Sequence, residues 1–169
     1  MSAMQIVVDG YNYIHRVNGS ALHKGASMDL LQRDFLEKCA RYKKMRSVRI
    51  SVVFDAYASF SPGRHSENYR GIEVIYSKEG ETADDVIIGL IRKRPAGLYV
   101  VSSDRAIIDE AKLRGVTFLT PAAFAEMLSS PVHEPEEEDD YPDNTGPKKG
   151  NPRKLPKKVR KAVKGINKL

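Results

Sequence analysis

Three times along this chain an aliphatic run breaks off towards a carboxylate: Ile6-Val7-Val8-Asp9, Val52-Val53-Phe54-Asp55, and Val100-Val101 followed by Ser102-Ser103-Asp104. A short run without polar alternation reads as a strand covered on both faces, the usual setting of a parallel sheet. Between these runs, apolar residues recur at helical spacing. Leu30, Leu31, Phe35, Leu36, Cys39 and Tyr42 predict a helix from Met28, and Ala83, Val86, Ile87, Leu90 and Ile91 predict another. Ile107, Ile108 and Ala111 predict a third, stopped by Gly115, and Pro121 opens a last one through Phe124 and Leu128. Ile72 to Tyr76 and Val116 to Leu119 read as further strands. Strand and helix alternate, which predicts an α/β fold: a parallel sheet with helices on both faces. Two stretches read as loops, Asn18 to Gly25 beside the first strand and Tyr57 to Gly71 after the second.

The chain has 169 residues, 41% of them hydrophobic, enough for one well-buried domain and a tail. We place the domain at residues 1–130. Residues 131–147, with Pro131, Pro135, the run Glu136 to Asp140 and Pro142, read as an acidic, Pro-rich, disordered linker. Residues 148–169 hold Lys and Arg without an acid, and Leu155, Val159, Ala162, Val163 and Ile166 recur at helical spacing, so the basic tail is disordered or partly helical. The net charge of +6 is concentrated there and points to a polyanion, nucleic acid first and an anionic membrane surface second. Lys154, Lys157, Lys158, Arg160 and Lys161 are the candidate RNA contacts of the tail. Arg64, Tyr69 and Arg70 are those of the second loop, where guanidinium can pair with phosphate and an aromatic ring can stack on a base. A single Cys39 excludes an intramolecular disulfide, and no signal peptide or membrane-length apolar run is present. We expect a cytoplasmic protein without a membrane span.

In a parallel sheet the strand-end acids gather at one edge. Asp9, Asp55 and Asp104 arrive from strands, and Asp84 from the start of a helix with Glu81 close by. Asp85 is explained by capping, because Thr82 and Asp85 have the spacing of a capping box, whereas Asp84 lies nearer the apolar face, where its local alternative is a partner of the helix dipole. Each acid alone can be a turn or cap residue. Together, like charges repel unless a hard divalent cation neutralises them, and carboxylate oxygens suit Mg²⁺ or Mn²⁺. That combination serves phosphodiester hydrolysis. Other designs fit less well: the chain lacks both G-x-G-x-x-G after its first strand and G-x-x-x-x-G-K-[ST]. Tyr11 stands where a phosphotransferase with Asp9 as nucleophile wants an acid, and His15, His23, His65 and His133 are too scattered for zinc.

Asp9-Gly10-Tyr11-Asn12, Phe54-Asp55-Ala56, the stretch Val74 to Asp84 and Ser102-Ser103-Asp104 together resemble the YacP-like branch of the NYN domains, within the PIN-like ribonuclease superfamily. The resemblance covers about residues 4–128. It implies a Rossmann-like (PIN-like) sheet with an acidic metal site and endonucleolytic cleavage of RNA, in some members on ribosome-associated messages. It implies Asp9, Asp84 and Asp104 as the metal-binding catalytic acids, with Asn12, Asp55 and Glu81 in support. The alternative from a different class is a non-catalytic RNA- or ribosome-binding module of the same fold.

Overall fold

The structure, a computed structural model, describes residues 3–56, 63–93 and 96–130. The aliphatic runs form the middle of a six-stranded sheet. β1 (Met4–Asp9) lies between β2 (Val48–Phe54) and β5 (Leu98–Val101), and β4 (Ile72–Tyr76) and β6 (Thr117–Leu119) flank them. With β3 (His65–Tyr69) outermost, the order is β3-β4-β2-β1-β5-β6, parallel except for β3. Val8 stands level with Val52 on one side and Val101 on the other, so the three runs end together at the carboxyl edge.

The helices divide between the faces. Val7, Val53 and Val100 pack against Ala83, Val86, Ile87 and Ile91 of α3 (Ala83–Lys93) and Ile107 and Ala111 of α4 (Arg105–Arg114). The other face is closed by α1 (Gly10–His23), α2 (Met28–Met45) and α5 (Pro121–Ser129). There Tyr13 stacks on Phe35 at 4.1 Å and meets Phe124 edge-on at 6.0 Å. Ile6, Val7 and Val8 are fully enclosed, each worth ~1.5–3 kcal/mol in burial. Burial on both sides is what fixes the end of β1 as a rigid platform. Cys39 is buried in α2, where desolvation pushes its thiol pKa up, in keeping with a core residue.

Two stretches expected as loops hold regular structure in the part that is described. Asn18 to Gly25 is not a loop beside the first strand, because α1 runs to His23 with a kink at Asn18 (φ −113°, ψ 17°). Asn18 and Gly19 are poor helix formers, but packing of α1 on α2 and α5 overrides the propensity. The second correction concerns Tyr57 to Gly71. Residues 57–62 lie outside the described residues, but from His65 the chain is β3, antiparallel to β4. Its Ser66, Glu67 and Asn68 are exposed, so this edge strand carries no hydrophobic alternation to read. Arg70-Gly71 makes the two-residue hairpin turn, with φ of +48° and +89°, the left-handed pair that suits the twist of a hairpin. The sheet is therefore mostly parallel with one antiparallel edge strand.

Gly115 ends α4 in the left-handed conformation (φ 68°), as its position at the end of the apolar pattern implies. No helix among the described residues is long and apolar enough to cross a membrane. The linker at 131–147, the tail at 148–169, and with them Lys154, Lys157, Lys158, Arg160 and Lys161, lie outside the described residues.

Candidate active site

Asp9 is at once the last residue of β1 and the N-cap of α1, with no connecting loop between them. Its side chain is buried; Oδ1 accepts from the Asn12 backbone N–H at 3.4 Å and Oδ2 from the Ser102 hydroxyl at 3.4 Å. Such a tight entry needs Gly10. A Cβ there would stand 2.3 Å from the Phe54 ring, which is itself wholly buried. Asp104 is the N-cap of α4, its Oδ1 accepting from the N–H of Ala106 at 2.9 Å and Ile107 at 3.2 Å.

Side chains then lace these ends together. Asn12 Oδ1 accepts from both the backbone N–H and the hydroxyl of Ser103, at 2.9 and 3.1 Å, tying the first turn of α1 to the β5–α4 turn. Ser102 accepts from the Asp104 N–H at 3.0 Å while donating to Asp9, so one hydroxyl sets the relation of two acids. Asp55 Oδ1 accepts from the Ala83 N–H at 2.6 Å and joins the end of β2 to the start of α3. Thr82 and Asp85 make the capping box: Asp85 accepts from the Thr82 N–H at 3.0 Å and returns its own N–H to the Thr82 hydroxyl at 3.1 Å. Asp85 thus points away and Asp84 inward. Replacing Asp85 with alanine is expected to lower Tm by a few degrees, the loss of one exposed cap, checked by thermal melts.

The acids perturb one another as close neighbours do. Burial pushes the Asp9 carboxyl up to about 7, and the charges of Asp84 and Asp55 add to the effect against the opposing hydrogen bonds from Asn12 and Ser102. Asp84 is also raised, by burial first and then by Asp104 and Asp55, with a hydrogen bond to Asp9 partly offsetting them. A protonated Asp9 can donate to the Asp84 carboxylate. The structure therefore brings Asp9, Asp84, Asp104 and Asp55 to one edge, with Asn12 and Ser102 as braces. Ser102 was not anticipated, although a hydroxyl closing an all-apolar strand beside an acid is a readable signal.

Other candidates are placed differently. The Arg64 guanidinium grips both carboxylate oxygens of Glu81, and the Lys78 N–H adds a bond at 3.2 Å. This pairing holds the Glu81 carboxyl below its usual range. Glu81 and Arg64, expected to do separate work, hold each other. Tyr69 and Arg70 sit at the hairpin turn, at the opposite end of β4 from the acids, where Glu37 accepts from Tyr69 Oη at 2.6 Å and from Arg70 at 3.1 Å.

Hard oxygen donors that raise each other's pKa fit a divalent cation. Among the described residues no three His, Cys, Asp or Glu side chains form a ready cage, and one oxygen of Asp104 and one of Asp55 are engaged by backbone N–H. Mg²⁺ needs only one or two carboxylates, with waters and substrate phosphate completing its shell, so the donor set is compatible with it.

A mostly parallel α/β sheet that gathers acids from separate segments at its carboxyl edge is the architecture of the PIN-like nuclease fold. The YacP-like NYN domain profile matches residues 6–168, and the chain belongs to that family. The match runs well past the 4–128 read from motifs and takes in the tail. The uncharacterized protein YacP of Bacillus subtilis is 35% identical over 102 residues, an alignment spanning 59% of each chain. The crystal structure of Rae1 (YacP) from Bacillus subtilis superposes with a TM-score of 0.58 at 27% identity, covering 76% of this chain and 74% of that one. A single-substitution variant of Rae1 gives 0.59 at 25% identity, covering 74% of each. The chain thus spans 59% of the length of the curated relative it matches, and its family is one of PIN-like, nuclease-type domains.

Proposed function

We propose that this chain is a Mg²⁺- or Mn²⁺-dependent endoribonuclease that hydrolyses RNA phosphodiester bonds. The observation that carries the reading is the convergence at one sheet edge of Asp9 from the end of β1, Asp84 from the first turn of α3 and Asp104 from the start of α4, near enough for Asp9 and Asp84 to raise each other. Asp9, Asp84 and Asp104 would hold the ion. When bound, it supplies water activation and neutralises charge on the phosphate. Asn12 and Ser102 fix the direction of the Asp9 carboxylate, and Asp55 fixes the start of α3. Arg64, oriented by Glu81, offers its remaining N–H groups to a neighbouring phosphate. The N-termini of α1, α3 and α4 meet at this edge and favour an anion.

The test is cleavage of an end-labelled oligoribonucleotide with Mg²⁺, with Mn²⁺, and with chelator. Cleavage should require the divalent ion and vanish in Asp84→Asn. Full activity of Asp84→Asn, or in chelator, would sink the proposal. That Asp9 and Asp104 also cap α1 and α4 favours a second reading, a non-catalytic RNA- or ribosome-binding module that keeps these acids for structure. That reading predicts tight RNA binding indifferent to divalent ions and no cleavage at all.

A further inference from the structure

The carboxyl edge carries a second feature besides its acids, a row of aromatic rings. Tyr11 meets Phe54 edge-on at 4.9 Å, Phe54 lies near-parallel to Tyr76 at 6.1 Å, and Tyr76 is stacked on His65 at 4.8 Å with 17° between planes. Phe54 is wholly enclosed and serves as backing, while Tyr11, Tyr76 and His65 are part exposed. The row starts two residues from Asp9 and ends on the edge strand.

Rings and charges lie on opposite sides of the sheet. Along β1, Asp9 shares the α3 face with Val7, and Arg64 reaches the same side to pair with Glu81 at the start of α3. Phe54 and Tyr76 face the other way, towards α1 and α2, and Tyr76 hydrogen-bonds Gln32 of α2. Two strand spacings separate β4 from β1, ~10 Å in all, a distance that suits a nucleotide flanking the one being cut. His65 has a further peculiarity. Its Nδ1 is buried without a hydrogen-bond partner among the described residues.

We propose that the Tyr76–His65 ring pair is a nucleobase-stacking subsite for single-stranded RNA. The backbone passes on the α3 side, by Arg64 and the acids, and a flanking base turns over the sheet edge onto the rings. Stacking of this kind tolerates any base, since every base has a π-face, and it requires an unpaired one. The subsite rests on the ribonuclease reading, but its failure is separable from that reading's.

The experiment is equilibrium binding, in chelator, of a single-stranded oligoribonucleotide and of the same strand with one abasic position placed in turn along it. The unaltered protein should lose about tenfold in affinity when the stacked base is missing, the scale of one base–aromatic contact. In the double variant Tyr76→Leu with His65→Leu, which keeps apolar bulk against Phe54, intact and abasic strands should bind equally weakly. Tyr76→Phe, which keeps the ring face, should bind like the unaltered protein, and thermal melts verify folding of each. Undiminished preference for the intact strand in the double variant overturns the subsite and leaves the nuclease reading standing. Weak binding by Tyr76→Phe assigns the contact to the hydroxyl and also overturns it. Absence of RNA binding by the unaltered protein overturns both.

Discussion

Asp9→Asn is expected to remove cleavage and, in metal-free buffer, to make the protein more stable. Loss of one carboxylate from the proposed ion site should cost on the order of 10³-fold in rate, ~4 kcal/mol of transition-state stabilisation. The stability gain has a defined sign. Asp9 in the folded protein titrates at about 7, against 3.8 for an ordinary aspartate. Between those values the folded state holds the extra proton, so its contribution is fully present below pH ~4 and is lost as the pH rises through ~7. At pH 8 a charged, buried Asp9 therefore costs on the order of 4 kcal/mol, which a neutral asparagine avoids. Denaturant titrations of both proteins should show the asparagine variant ahead at pH 8 and level near pH 4. Equal stability at both values would mean that burial and Asp84 do not raise Asp9.

Gly10→Ala should damage both stability and activity although it touches no acid. The added methyl meets the Phe54 ring, which is hemmed in by Tyr11 and Tyr76 and has nowhere to go. Overpacking of this kind costs ~1–3 kcal/mol, and here relief comes from moving the first turn of α1. That turn carries Asp9 and Asn12, so a displacement under an ångström reaches the site. Adding Phe54→Leu, which removes the obstructing ring edge, should recover part of both losses. If the second substitution only worsens the first, the clash is not the cause.

The sheet's centre was legible because β1, β2 and β5 are buried on both faces and have no reason to alternate. Asp84 could be told from Asp85 by helical phase alone, and the capping box bears that out. What stayed hidden has physical reasons. β3 is a polar edge strand whose pairing is set by β4 and by the Arg70-Gly71 turn, neither of which leaves an apolar pattern. The length of α1 depends on contacts with α2 and α5, which outweigh Asn18 and Gly19. At the site, the strand-end position of the acids was readable but their partners were not. Arg64 and Glu81 meet across 17 residues of sequence, and Ser102 reaches Asp9 across 93, so no local spacing announces either contact.

Asp9 and Asp104 each hold the first turn of a helix, whereas the partners of Asp84 are other acids. The three are therefore under unequal constraint over evolutionary time. A descendant that lost its chemistry would still need something at the first two positions to start α1 and α4, and aspartate serves well there. At the third only the weak attraction of the α3 N-terminus would keep an acid. Under the proposed function, an aspartate aligned with Asp84 is therefore expected to be the better mark of a working enzyme among relatives of this chain.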